Sequence, residues 1–158
     1  MRIIKIVNCV GNVILLLLLS LLLMIKIPSL AGYQVFYILS ESMAPVMNPG
    51  ALIYVKESDV SEVVPGECIT FRLGTDTELT ATHRVVAVDL KTLEITTQGD
   101  ANPGEDIMKV TEDNLIGKVA VHIPYLGYGM YFLQTGIGKV CCVMIFIFAL
   151  INKKSPKD

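Results

Sequence analysis

The chain has 158 residues, 53% of them hydrophobic and 18% charged, with a formal net charge of −2 and a mean hydropathy of +0.59. That length suits one domain of ordinary size, and the hydropathy is too high for the whole chain to be a water-soluble domain. Between two apolar ends, residues 27–128 carry six Lys/Arg against 14 Asp/Glu, a net of −8, and so acidic a segment excludes a polynucleotide partner.

Arg2 and Lys5 precede a run of 20 residues without a charge, Ile6 to Ile25, containing VILLLLLSLLLMI. At about 1.5 Å per residue such a helix crosses a hydrocarbon core of about 30 Å. The expectation is a cytosolic N-terminus at 1–5 and a transmembrane helix at 6–26. A cleaved signal peptide is the competing reading, because the start is basic and Ser29-Leu30-Ala31 resembles a small-x-small cleavage site. Against it, the uncharged run exceeds the roughly 7 to 15 residues usual for such a core.

From 27 to 128 the period changes to about two, in short β-branched runs broken by turn residues. The strands expected are QVFYIL (34–39), ALIYVKE (51–57), ECITFRL (67–73), THRVVAVD (82–89), LEITTQG (93–99) and LIGKVAVHI (115–123). NPG at 48–50, VPGE at 64–67, GTDTE at 74–78 and ANPGED at 101–106 supply the turns. The segment reads as a small, mostly antiparallel β-domain.

A second apolar stretch predicts a transmembrane helix at 129–151, followed by a basic tail at 152–158 with Lys153, Lys154 and Lys157. Lys139 opposes this span, at roughly 2.5 to 3.5 kcal/mol if it lies at the centre and less near an end. The run from Val140 to Ile151 is apolar on every face, which argues against a helix lying on the membrane surface. Basic residues at both ends place both termini in the cytosol and the β-domain on the outer face. The fold expected is therefore mainly β, a small antiparallel domain flanked by two transmembrane helices. Cys9, Cys141 and Cys142 fall in the apolar stretches, so Cys68 has no disulfide partner within the outer domain, and no CxxC metal spacing is present.

Three groups carry chemistry. Ser42, in SESMAP, follows a predicted strand just beyond the first apolar helix. A serine hydroxyl becomes a nucleophile when a base takes its proton and nearby donors receive the developing oxyanion. The hydroxyl of Ser40 and the backbone N–H of Ser42 are candidates for those donors. His83, in THRVV, brings an imidazole, the side-chain type suited to a base that can return its proton to a leaving amine. The other histidine, His122, has no acidic neighbour in sequence and reads as structural. In QGDANPGED, Asp100, Glu105 and Asp106 sit in a loop; a carboxylate there can fix the imidazole tautomer. The D-x-D-x-D-G spacing of a calcium loop is absent, and Asp100 can instead close an Asx turn.

In this order, SESMAPVMNPGALIYV, PGECITF, THRVVAV, TQGDANPGED and IGKVAVHIPYLGY resemble the type I signal peptidases, the membrane proteases that remove signal peptides from exported proteins. Most bacterial members carry a lysine base in a motif containing KRV, and His83 stands where that lysine would be. The departure resembles the endoplasmic-reticulum type found in eukaryotes, archaea and some Gram-positive bacteria, which look like Ser-His-Asp enzymes. In that subgroup the acid follows a GD by six residues, a count that lands on Asp106 and leaves Asp100 as a supporting residue. The resemblance implies Ser42 as nucleophile, His83 as base and then acid, Asp106 as its orienting carboxylate and Ser40 in the oxyanion hole. It implies no metal or organic cofactor. The partners implied are signal peptides with small residues at −1 and −3, the lipid bilayer and the export machinery, at the cell membrane or, in a eukaryote, the endoplasmic-reticulum membrane. A different class of function for the same segment is a non-catalytic membrane adaptor that binds exported peptides, with Ser42 a turn residue and His83 a packing residue.

Overall fold

The computed structural model describes residues 2–74 and 77–153; the tail from 154 onward, the first residue and two positions of the GTDTE turn lie outside the described residues. The chain divides into two compact units, one of terminal helices up to Ile27 and from Gly129, the other Pro28–Tyr128.

In the first unit, helix α1 (Arg2–Leu30) is long and apolar enough over Cys9–Leu30 to cross a membrane. It runs four residues past the expected end at 26 and stops at Gly32, whose φ of +81° suits the left-handed residue that commonly follows a helix. The second apolar stretch differs from the continuous span expected at 129–151. It forms α2 (Leu126–Gln134) and α3 (Gly136–Lys153), bent by 88° at Thr135, and over the described residues α2 and the Gly136–Ile147 part of α3 together meet the length and hydropathy of a span. The cause is a cap inside the apolar run. Thr135 Oγ1 donates to Phe132 O at 2.7 Å and accepts the N–H of Gly138 at 3.0 Å, so it closes one helix and starts the next. Gly138 permits the approach, since a Cβ there would lie 1.9 Å from Phe132 O.

The second unit holds six strands, β1 (Tyr33–Tyr37), β2 (Leu52–Lys56), β3 (Cys68–Arg72), β4 (Thr80–Asp89), β5 (Glu94–Gln98) and β6 (Leu115–Ile123). They form one sheet in the order β1-β2-β6-β3-β4-β5, and every pair is antiparallel. The mainly antiparallel β-fold expected from the alternating pattern is thus present. The last strand in sequence lies in the middle of the sheet, between β2 and β3. Gly117 makes that insertion feasible: its φ is +153°, and a Cβ on it would lie 2.1 Å from the carbonyl oxygen of Lys56.

Two apolar clusters hold the sheet. One gathers Val60, Ile69, Phe71, Val85, Ile95 and Val110; the other gathers Ile38, Met43, Met47, Ile53, Val55 and Ile116, with Cys68 packed against it. Neighbours along β3 therefore serve different clusters, Ile69 and Phe71 the first and Cys68 the second, as a pleated strand requires. Each fully buried large apolar side chain contributes about 1.5 to 3 kcal/mol relative to an exposed one.

Candidate functional site

The segment after β1 carries the two serines on a turn rooted by methionines. Met43 and Met47 are 0% and 2% exposed in the second cluster, and the turn closes through Ala44 N–H to Glu41 O at 2.9 Å and Met47 N–H to Met43 O at 2.8 Å. With Met43 fixed, Ser42 is half-buried and Ser40 exposed. Their hydroxyls lie 3.1 Å apart. Among the described residues no hydrogen bond joins Ser42 Oγ to His83, so the structure pairs the two serines and leaves the serine–histidine contact unmade.

His83 lies on β4 opposite Ile69 of β3, with its ring edge-on to Phe71 at a centroid distance of 6.0 Å. Its side chain is 13% exposed, and Nδ1 meets Asp106 Oδ2 at 2.5 Å. An ionised carboxylate only accepts hydrogen bonds, so opposite an ionised Asp106 a neutral imidazole donates from Nδ1 and keeps its lone pair on Nε2. Asp106 is itself held on two sides by Thr97 of β5. Its N–H donates to Thr97 O, and Oδ2 accepts from Thr97 Oγ1, both at 2.7 Å.

Asp100 does not close a solvated Asx turn. Its carboxylate forms a two-pronged pair with Arg84, Nε to Oδ1 and Nη2 to Oδ2, each 2.7 Å, and Arg84 Nη1 reaches Gly66 O at 2.7 Å. Arg84 follows His83 on β4, so this bond fastens the loop to the strand that bears the imidazole. The Asp100 bond holds the Arg84 guanidinium above its ordinary range, against the opposing effect of burial.

The 99–106 loop links the two halves of the site. Ala101 N–H donates to Ser42 O at 2.9 Å, and a Cβ on Gly99 would lie 2.6 Å from that same oxygen. Only a glycine lets the loop come so near the serine turn. The same loop delivers Asp106 to His83. The structure thus brings together Ser40 with Ser42, His83 with Asp106, and the Ser42 backbone with the loop.

A pocket of about 540 Å³ opens beside His83, between Phe71 and Leu73 on one side and residues 102–108 on the other. His122 sits elsewhere, exposed on β6 opposite Ile53. Cys68 is free, and burial, the largest influence on it, pushes its thiol pKa up; Arg84 lowers it and Asp100 raises it further. A thiol so shifted stays protonated at neutral pH and is a poor nucleophile.

Arg84 and Thr97 were not singled out by the sequence. Arg84 is legible in hindsight as the residue after His83 in THRVV. Thr97 carried no local signal, because its partner is nine residues away across a turn.

No protein-family profile matches the chain. Signal peptidase I W of Bacillus subtilis (strain 168) is 38% identical over 91 residues, which cover 56% of this chain and 47% of that protein. The chain therefore spans about half the length of the curated relative it matches. With the five collinear motifs, that similarity supports kinship with the type I signal peptidases.

Proposed function

We propose that the protein is a membrane-anchored serine endopeptidase of the endoplasmic-reticulum type that cleaves signal peptides from exported pre-proteins after small residues at −1 and −3. The observation that carries this reading is the His83 Nδ1 to Asp106 Oδ2 contact, made by a loop whose other end binds the Ser42 carbonyl.

In this mechanism the substrate adds to a sheet edge as an extended strand, with backbone bonds giving affinity and shallow pockets selecting small side chains. The outer edge of β5 is engaged by its own chain, Ile95 with Val110 and Thr97 with Asp106, so β1 is the edge we assign to the substrate. Ser40 and Ser42 follow directly from β1. As the scissile carbonyl arrives, Ser42 Oγ leaves Ser40, passes its proton to His83 Nε2 and bonds to the carbonyl carbon. Such bonds are often unmade in empty sites and tighten only around substrate. The Ser40 hydroxyl and the Ser42 N–H receive the oxyanion. His83 then protonates the leaving amine, and water, deprotonated by the same imidazole, hydrolyses the acyl-serine. Asp106 holds the imidazole throughout, and Asp100 supports the loop through Arg84.

The topology that fits this chemistry has the 6–26 part of α1 and the segment at 129–151 in the bilayer, the domain at 27–128 on the outer or lumenal face, and the ends at 1–5 and 152–158 in the cytosol. Anchoring confines enzyme and signal-peptide helix to one plane, which raises effective concentration without new contacts. The export machinery is a natural neighbour in that plane.

The test is cleavage of a pre-protein by the detergent-purified parent and its Ser42→Ala variant. The parent should cut after an A-x-A-like site and the variant should not. Near-normal cutting by the variant would sink the proposal. A parent that binds the pre-protein without cutting it would favour the adaptor reading, for which the Ser40–Ser42 pairing is the supporting observation.

A further inference from the structure

We propose that Thr97 is a positioning residue for the His83–Asp106 pair, acting through its hydroxyl; the inference deepens the peptidase reading and rests on it. Thr97 is 0% exposed on β5, opposite Val85 of β4. Both its backbone carbonyl and its side chain are given to Asp106, at 2.7 Å each. The backbone bond fixes where the aspartate leaves the loop. It does not fix the carboxylate, whose terminal torsion is broad and roughly two-fold. The hydroxyl removes that freedom by donating its one proton to Oδ2, the oxygen that also accepts from His83.

Packing alone does not call for a hydroxyl here. Valine has the same shape and is equally at home in a strand, so the part of Thr97 that packing leaves unexplained is its O–H. The other buried threonines behave differently. Thr70 and Thr82 bond to each other at 2.9 Å, and among the buried polar residues described Thr97 is the one bonded to a carboxylate. The charged surroundings of the pair are simple. Glu105 lines the same pocket from the loop, Arg84 on β4 is committed to Asp100 and Gly66, and β3 presents the ring of Phe71.

Removing the hydroxyl has two separable effects. The carboxylate gains rotation, so fewer molecules hold the imidazole correctly and kcat falls while KM stays. The charge that Thr97 partly neutralised becomes available to the imidazolium, so His83 takes up its proton more readily and the acidic limb of the pH–rate profile moves to higher pH. Thr97→Val in the full-length, detergent-purified chain should lower kcat roughly tenfold or more, leave KM unchanged and shift that limb upward. Thr97→Ser should restore both. Parent-like kcat and limb in Thr97→Val would overturn the proposal. So would a folded Thr97→Ser protein whose kcat falls roughly tenfold or more below the parent, a result that stands even if Thr97→Val fails to fold.

A second readout needs no substrate. The proton on His83 Nδ1, strongly hydrogen-bonded in the parent, should give a far-downfield NMR resonance that moves upfield or broadens in Thr97→Val and returns in Thr97→Ser. An unmoved resonance would overturn the inference. A parent that cleaves no pre-protein would instead sink the peptidase reading, and the resonance would still decide the role of Thr97.

Discussion

The two halves of the site are built to different standards. On the base side, His83 and Asp106 are 13% and 19% exposed, Asp106 is held twice by Thr97, and the strand that carries His83 is fastened to the loop through Arg84 and Asp100. On the proposed nucleophile side, the backbone is just as firmly rooted by Met43, yet among the described residues the hydroxyls of Ser40 and Ser42 are bonded only to each other, at 3.1 Å. A hydroxyl rotates among staggered wells at little cost, whereas an imidazole locked to a carboxylate does not. Under the proposed peptidase reading, the comparison teaches where alignment would come from: the fold orients the proposed base in advance, and arriving substrate would have to turn the proposed nucleophile.

The sharpest way to break that comparison is on its rigid side. In Asp106→Asn the side-chain amide donates where the carboxylate accepted, so His83 is driven to the tautomer with its proton on Nε2, where the base lone pair belongs. Turnover of a pre-protein should fall on the order of 10³ to 10⁴-fold, with the fold retained because the Thr97 backbone contact survives. A kcat measurement alongside thermal unfolding separates the two. A loss of only a few fold would mean that the base side is not pre-aligned by Asp106.

Ser40→Ala tests the mobile side and should cost less. It removes one oxyanion donor and also the partner that Ser42 Oγ now has, so its effect on kcat is expected on the order of 10²-fold, with KM little changed. If Ser40→Ala instead speeds turnover, the Ser40–Ser42 bond restrains the nucleophile and the oxyanion role is wrong.

Much of this arrangement was legible in the sequence, and the illegible parts share a cause. The six strands follow from alternation and turn chemistry, which are local. The position of β6 between β2 and β3 does not, since it depends on a long-range pairing that only Gly117 hints at. Asp106 was reached by a count from Gly99-Asp100 that the family resemblance supplied; the residues alone gave no preference among Asp100, Glu105 and Asp106. Arg84 and Thr97 escaped because each acquires meaning from a partner the fold delivers. The break at Thr135 is the opposite case. Its Thr-Gly start is a local helix-cap signal that lay inside an apolar run, and the run's hydropathy masked it.

Cys68 gives the smallest effect, and it joins the two halves. It packs against the cluster containing Met43, which roots the serine turn, and it senses Arg84 and Asp100, which fasten the base-side loop. Burial raises its pKa in the folded chain, so the folded state favours the neutral thiol. That contribution is fully present below the thiol's ordinary pKa and is lost as pH climbs through the raised folded value, because the unfolded chain ionises first. Tyr54, raised by burial, acts with the same sign at still higher pH. The raised guanidinium of Arg84 lies beyond this window, so its pair with Asp100 persists throughout. Thermal unfolding of Cys68→Ala in detergent should therefore show a shallower alkaline decline than the parent, on a slightly lower plateau at neutral pH from the lost packing. An alkaline decline unchanged in Cys68→Ala would show that the thiol is already solvated, and that the sheet between the two halves is looser than their hydrogen bonds imply.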